Sequence, residues 1–139
     1  MRNSKPILLV EDDDVDALTT KRALKEINVT NELIHTFDGE EAVAYLKDGN
    51  PNPCVILLDL NMPKMNGFEF LRIIKADENL KKIPVIILTT SDTDQNILES
   101  YKLGVAGYIT KPVDYRQFVD TMKTVDMYWT LSKLPGNGQ

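Results

Sequence analysis

Apolar residues along the chain gather into five short runs rich in β-branched side chains: PILLV at 6–10, ELIHTF at 32–37, CVILLD at 54–59, PVIILT at 84–89 and GYIT at 107–110. Between them the pattern changes to steps of three and four. In DALTTKRALKEI, Ala17, Leu18, Ala23, Leu24 and Ile27 recur at that spacing with Lys21, Arg22, Lys25 and Glu26 between them, which predicts an amphipathic helix. GEEAVAYLKDG, GFEFLRIIKAD, DQNILESYKLG and DYRQFVDTMKTVDMYWTLSKL carry the same period. Gly49, Pro51, Pro84 and Gly104 punctuate the segment ends.

Strands alternating with helices predict a parallel α/β sheet. The third and fourth runs are apolar almost throughout, as central strands covered by helices on both faces must be. Right-handed crossovers leave few arrangements of five strands, and the flavodoxin-like order 2-1-3-4-5 is the common one. Such a sheet collects the polar residues that follow its strands at one edge, beside the switch point between strands 1 and 3. Here these are Glu11 and Asp12, Asp59, Thr89 and Thr90, and Lys111.

Carboxylates clustered without cysteine or histidine suit a hard cation that prefers oxygen ligands, of which Mg²⁺ is the usual one, and a cation would offset their mutual repulsion. Next to Mg²⁺, Asp59 could act as a nucleophile toward phosphorus, with Lys111 and the Thr89 hydroxyl contacting phosphoryl oxygens. Each element also has a plainer role. Acids after a strand stabilise the start of a helix, and Asp13 and Asp14 are assigned to that task. Thr89 fits a strand, with Thr90, Ser91 or Asp92 capping the next helix. His35 reads as a structural strand residue.

Composition narrows the function. The 139 residues suit one domain, with 42% hydrophobic and 27% charged residues typical of a globular chain. A net charge of −5 with scattered basic residues argues against nucleic-acid binding. The apolar runs are too short to cross a membrane, and the first residues lack a signal peptide's apolar segment, so the expected location is the cytoplasm. Cys54 is the only cysteine, which excludes an intrachain disulfide and thiolate metal clusters.

ILLVEDD, LLDLNMPKMNGFEFL, IPVIILTTS and AGYITKP, in this order and register, resemble the CheY-like receiver domain of bacterial two-component response regulators over roughly residues 5–125. The resemblance implies that Asp59 accepts a phosphoryl group from a sensor histidine kinase. It further implies Mg²⁺ ligation by Asp12 directly, by Glu11 through water, by Asp59 and by the backbone carbonyl of Asn61. Thr89 matches the switch hydroxyl, Tyr108 the aromatic switch residue and Lys111 the lysine that pairs with the phosphoryl group. A cis peptide before Pro112 is common in the family. Glu11 stands where many members have Asp, and Asn66 stands where Asp is frequent, with a turn as its expected role. The segments also resemble the small stand-alone regulators of bacterial and cyanobacterial phytochrome kinases, which implies a phytochrome kinase partner.

Residues 126–139 read as an extension of the last helix and a polar tail, too short for a DNA-binding or catalytic output module. Output is then binding, biased by phosphorylation through a shift between inactive and active forms. Tyr128, Trp129, Leu131 and Leu134 either pack on their own core or form a partner surface, and a homodimer through the last helix and its neighbouring face is expected. The same residues allow two alternatives. One is an interaction module that works without phosphorylation. The other is a haloacid-dehalogenase-type phosphohydrolase, against which Asn61 stands where that family needs a second acid.

Overall fold

The structure, a computed structural model, describes residues 5–131 apart from Pro63 and Val113, with side chains through residue 127. Strand β1 (Ile7–Val10) leads to helix α1 (Asp14–Glu26), then β2 (Leu33–Thr36), α2 (Gly39–Lys47), β3 (Val55–Leu58) and α3 (Gly67–Ala76). A 3₁₀ turn (Leu80–Lys82) precedes β4 (Val85–Thr89), α4 (Asp94–Lys102), β5 (Gly107–Thr110) and α5 (Tyr115–Leu131). The sheet is parallel throughout in the order β2-β1-β3-β4-β5, so the flavodoxin-like expectation holds.

Period-two alternation sorts the strand side chains onto two cores. Leu8, Val10, Ile56, Leu58, Val85 and Ile87 pack with Phe70, Leu71 and Ile74 of α3 and with Ala42 and Leu46 of α2. On the other face Ile7, Leu9, Val55, Leu57, Ile86 and Leu88 meet Ala17, Ala23 and Leu24 of α1 and Phe118, Val119, Met122 and Val125 of α5. β1 and β3 are buried on both faces, whereas the edge strands β2 and β5 are mostly half-buried. Helix α4 is attached differently, because Ser100 is its one buried residue.

Local chemistry sets the helix starts. Asp13 caps α1 by accepting the Asp16 N–H at 3.0 Å, as expected of that acid. Asn66 does more than make a turn. Its side chain accepts the Glu69 N–H at 3.0 Å while the Glu69 carboxylate accepts the Asn66 N–H at 2.9 Å, a capping box that starts α3. The cap of α4 is Thr93, which accepts the Asn96 N–H at 3.2 Å, not Thr90, Ser91 or Asp92, because the loop after β4 runs further before turning. No cis peptide occurs among the described residues, so the Lys111–Pro112 bond is trans, the lower-energy form of an X–Pro bond by roughly 0.5–1 kcal/mol.

Candidate phosphoacceptor and metal site

The parallel register brings the carboxyl ends of β1, β3, β4 and β5 together, and backbone hydrogen bonds lock them in place. Asp59 N–H donates to the Val10 carbonyl at 3.1 Å, and Lys111 N–H donates to the Thr89 carbonyl at 2.7 Å. Gly67 fixes the floor below Asp59. A Cβ there would lie 2.7 Å from Leu60 Cα and 2.9 Å from the Asp59 carbonyl oxygen, so only glycine lets α3 begin this close to β3.

Glu11, Asp12 and Asp59 each offer a carboxylate oxygen, and the three atoms lie within 4.8 Å of one another. Glu11 is 2% exposed and Asp59 9%, while Asp12 is more open. Three hard oxygen donors at this spacing, one facing solvent, fit a divalent cation that keeps part of its water shell. Glu11, Asp12 and Asp59 are therefore the residues that would hold such a cation, Mg²⁺ being the usual one for an all-oxygen donor set.

Lys111 supplies the local cation. Its Nζ lies 2.5 Å from Glu11 Oε1, 3.1 Å from Asp16 Oδ2 and 3.7 Å from Asp59 Oδ2, with the lysine side chain 10% exposed. Burial pushes the Glu11 carboxyl up to about 7 even though Lys111 pulls it down. For Lys111, burial works to lower the ammonium, but the Glu11, Asp59 and Asp16 carboxylates outweigh it and hold the lysine above its ordinary value. Glu11 Oε2 accepts the Asp13 N–H at 3.2 Å, so both oxygens of this longer acid have donors.

A polar chain leads away from Asp59. Asp59 Oδ1 accepts the Asn61 N–H at 3.1 Å, and the Asn61 amide donates to the fully buried Thr89 hydroxyl at 3.5 Å. Thr89 Oγ1 also accepts the Ser91 N–H at 3.4 Å. The half-buried Tyr108 donates its hydroxyl to the Ser91 carbonyl, and Asn96 of α4 donates to Ser91 Oγ at 2.6 Å. Asp59, the Thr89 hydroxyl and Tyr108 are thereby linked to α4 through Ser91.

The sequence reading thus collects Glu11, Asp12, Asp59, Asn61, Thr89, Tyr108 and Lys111 in one region. It does not find three contributors. Asp16 binds Lys111, Ser91 joins Thr89 to Tyr108, and His35 donates from Nε2 to the Glu11 carbonyl at 2.8 Å. A carbonyl can only accept, so Nε2 carries the proton. The His35 ring also lies 4.2 Å from that of Phe37, and the residue supports the site as well as its strand.

Residues 7–123 match the response regulator receiver domain. The chain belongs to this family. It is 38% identical over 130 residues to the response regulator Rcp1 of Synechocystis sp., covering 90% of this chain and 88% of Rcp1. The structure of the phosphorylated cyanobacterial phytochrome response regulator RcpA superposes with a TM-score of 0.89 at 39% identity, covering 96% of this chain and all of RcpA. The manganese-bound form of Rcp1 gives 0.86 at 38% identity, covering 95% of this chain and 99% of that one. The receiver is therefore closely related to phytochrome-associated regulators. Its family works with sensor histidine kinases as a regulator that is phosphorylated on itself and loses the group again, rather than as an enzyme acting on a pool of substrate. Among the described residues no helix is long and apolar enough to cross a membrane.

Proposed function

We propose that Asp59 is the phosphoacceptor and that the chain relays the signal of a phytochrome-type histidine kinase in the cytoplasm. The observation that supports this best is the placement of Lys111 Nζ between Glu11 and Asp59, at 2.5 and 3.7 Å, with the buried Thr89 hydroxyl joined to Asp59 through Asn61. An Asp59 carboxylate oxygen attacks phosphorus as the bond from phosphorus to the donor imidazole nitrogen breaks. The product is an acyl phosphate, and the imidazole leaves. Asp12 and Asp59, the Asn61 backbone carbonyl and, through water, Glu11 would hold Mg²⁺, which when bound neutralises charge on the transferring oxygens.

Lys111 and the Thr89 hydroxyl then engage the new phosphoryl oxygens. Movement of Thr89 would release its contacts with Asn61 and Ser91, loosening the loop that Tyr108 and Asn96 hold. Residues 5–125 form the receiver body in this reading, and residues 126–139 extend α5 toward a partner, with a homodimer through α5 and its neighbouring face as output. Tyr128, Trp129, Leu131 and Leu134, on which that surface was argued, have side chains outside the described residues.

The test is intact-mass measurement after incubation with acetyl phosphate and Mg²⁺. One phosphoryl adduct is expected on the wild type and none on Asp59→Asn or without Mg²⁺. Absence of any adduct would favour an unphosphorylated interaction module, and sustained phosphate release from many phosphate esters would favour a phosphohydrolase.

A further inference from the structure

Lys111 has three carboxylates around one ammonium, and they differ in what each would lose by letting go. Glu11 and Asp59 are buried, with side chains 2% and 11% exposed, whereas the Asp16 side chain is 43% exposed. Asp16 sits in the first turn of α1, on the wall of a cleft of about 440 Å³ that Thr19, Arg22, Lys111 and Tyr115 also line. Water can replace the ammonium at Asp16 with little desolvation penalty, but not at Glu11.

An ammonium donates three hydrogen bonds. Lys111 directs two of them to Glu11 and Asp16 and stands only at ion-pair distance, 3.7 Å, from Asp59, so an ammonium drawn in toward a phosphoryl group on Asp59 moves away from the partner that holds it least. From these differences we infer that Asp16 is a competing resting partner of Lys111, the contact that is given up when Lys111 turns to a phosphoryl group. Asp16 is thus a positioning residue acting through Lys111. It lowers the affinity of the site for a phosphoryl group, and its contact ties the first turn of α1 to the loop after β5 only in the unmodified state. This inference rests on Asp59 being the acceptor.

The probe is beryllium fluoride, which binds a carboxylate as a phosphoryl mimic, titrated with Mg²⁺ and followed by fluorine NMR on the full chain. Asp16→Asn should bind it about twofold to fivefold more tightly than wild type, the range expected from losing a part-exposed ion pair. Asp16→Glu, which keeps the charge, and Asp14→Asn, which removes an equal charge from the same helix turn, should both stay near wild type. Equal tightening in Asp14→Asn and Asp16→Asn would mean a general field effect and overturn the inference. So would unchanged or weaker binding by Asp16→Asn. Failure of the wild type to bind the mimic would instead remove the acceptor assignment itself.

Discussion

The Lys111 ammonium lies 2.5 Å from the Glu11 carboxylate and 3.7 Å from that of Asp59. It is therefore committed first to the acid that is 2% exposed, then to Asp16 at 3.1 Å, and only last to Asp59. One ammonium against the clustered Glu11, Asp12 and Asp59 and the adjoining Asp16 leaves the metal-free site with excess negative charge, and several measurable consequences come from that imbalance.

Asp12 has no contact with Lys111 to lose. Asp12→Asn should stabilise the metal-free protein, by about 0.5–1 kcal/mol for relief of a partly exposed like-charge contact. The same change should weaken Mg²⁺ binding at least tenfold, since it removes the most accessible ligand. Urea unfolding with and without Mg²⁺ would show both effects, and a destabilised metal-free variant would contradict the charge argument.

Glu11 makes the site sensitive to pH. Its carboxyl stands at about 7 in the folded protein against 4.5 as an ordinary side chain. The folded state thus keeps a proton that the unfolded chain has released, and this contribution to metal-free stability is complete below pH 4.5 and is lost as pH rises through about 7. Mg²⁺ needs the ionised acid, so its affinity should fall about tenfold per unit below pH 7 and level off above pH 8. Calorimetry in buffers of different ionisation enthalpy should detect a proton released on binding near pH 6.5. A pH-independent affinity would place Glu11 outside the metal's reach.

Gly67→Ala should be costly for its size. The added methyl would meet Leu60 Cα at 2.7 Å and the Asp59 carbonyl oxygen at 2.9 Å, both of them backbone. A loss of about 1–3 kcal/mol is expected from such overpacking. Because relief requires the loop bearing Asp59 to move, phosphorylation by acetyl phosphate should slow as well. A variant with normal stability and rate would show that the close approach is dispensable.

The proposed dimer is open to sedimentation equilibrium. Phosphorylated protein should sediment as a dimer, and Trp129→Ala should shift it toward monomer. A monomer in both phosphorylation states would remove the dimer from the reading.

The strand pattern predicts the architecture because burial on both faces leaves β1 and β3 no polar positions, and parallel order then fixes which residues share an edge. That is why the sequence alone assembles Glu11, Asp59, Thr89 and Lys111: each lies at or next to a strand end, where sequence position and spatial position coincide. Asp16 has no such marker. It reads as one more acid in a helix's first turn, and only the angle of α1 against the loop after β5 brings it to Lys111. The sequence does not single out Thr93 as the α4 cap for a related reason, since four consecutive residues, Thr90, Ser91, Asp92 and Thr93, can each cap a helix. Ser91 is instead claimed by Tyr108 and Asn96.

Helix α4, with Ser100 as its one buried residue, should be the least protected helix of the domain in hydrogen exchange. Little apolar area is re-exposed when it detaches, so its amides can open locally at a fraction of the global unfolding free energy, while those of β1, β3 and α3 wait for the whole domain. The fold keeps its most reversible part at the far end of the chain of hydrogen bonds that starts at Asp59. In the proposed mechanism, a shift of the Thr89 hydroxyl would thus act on the element that resists least.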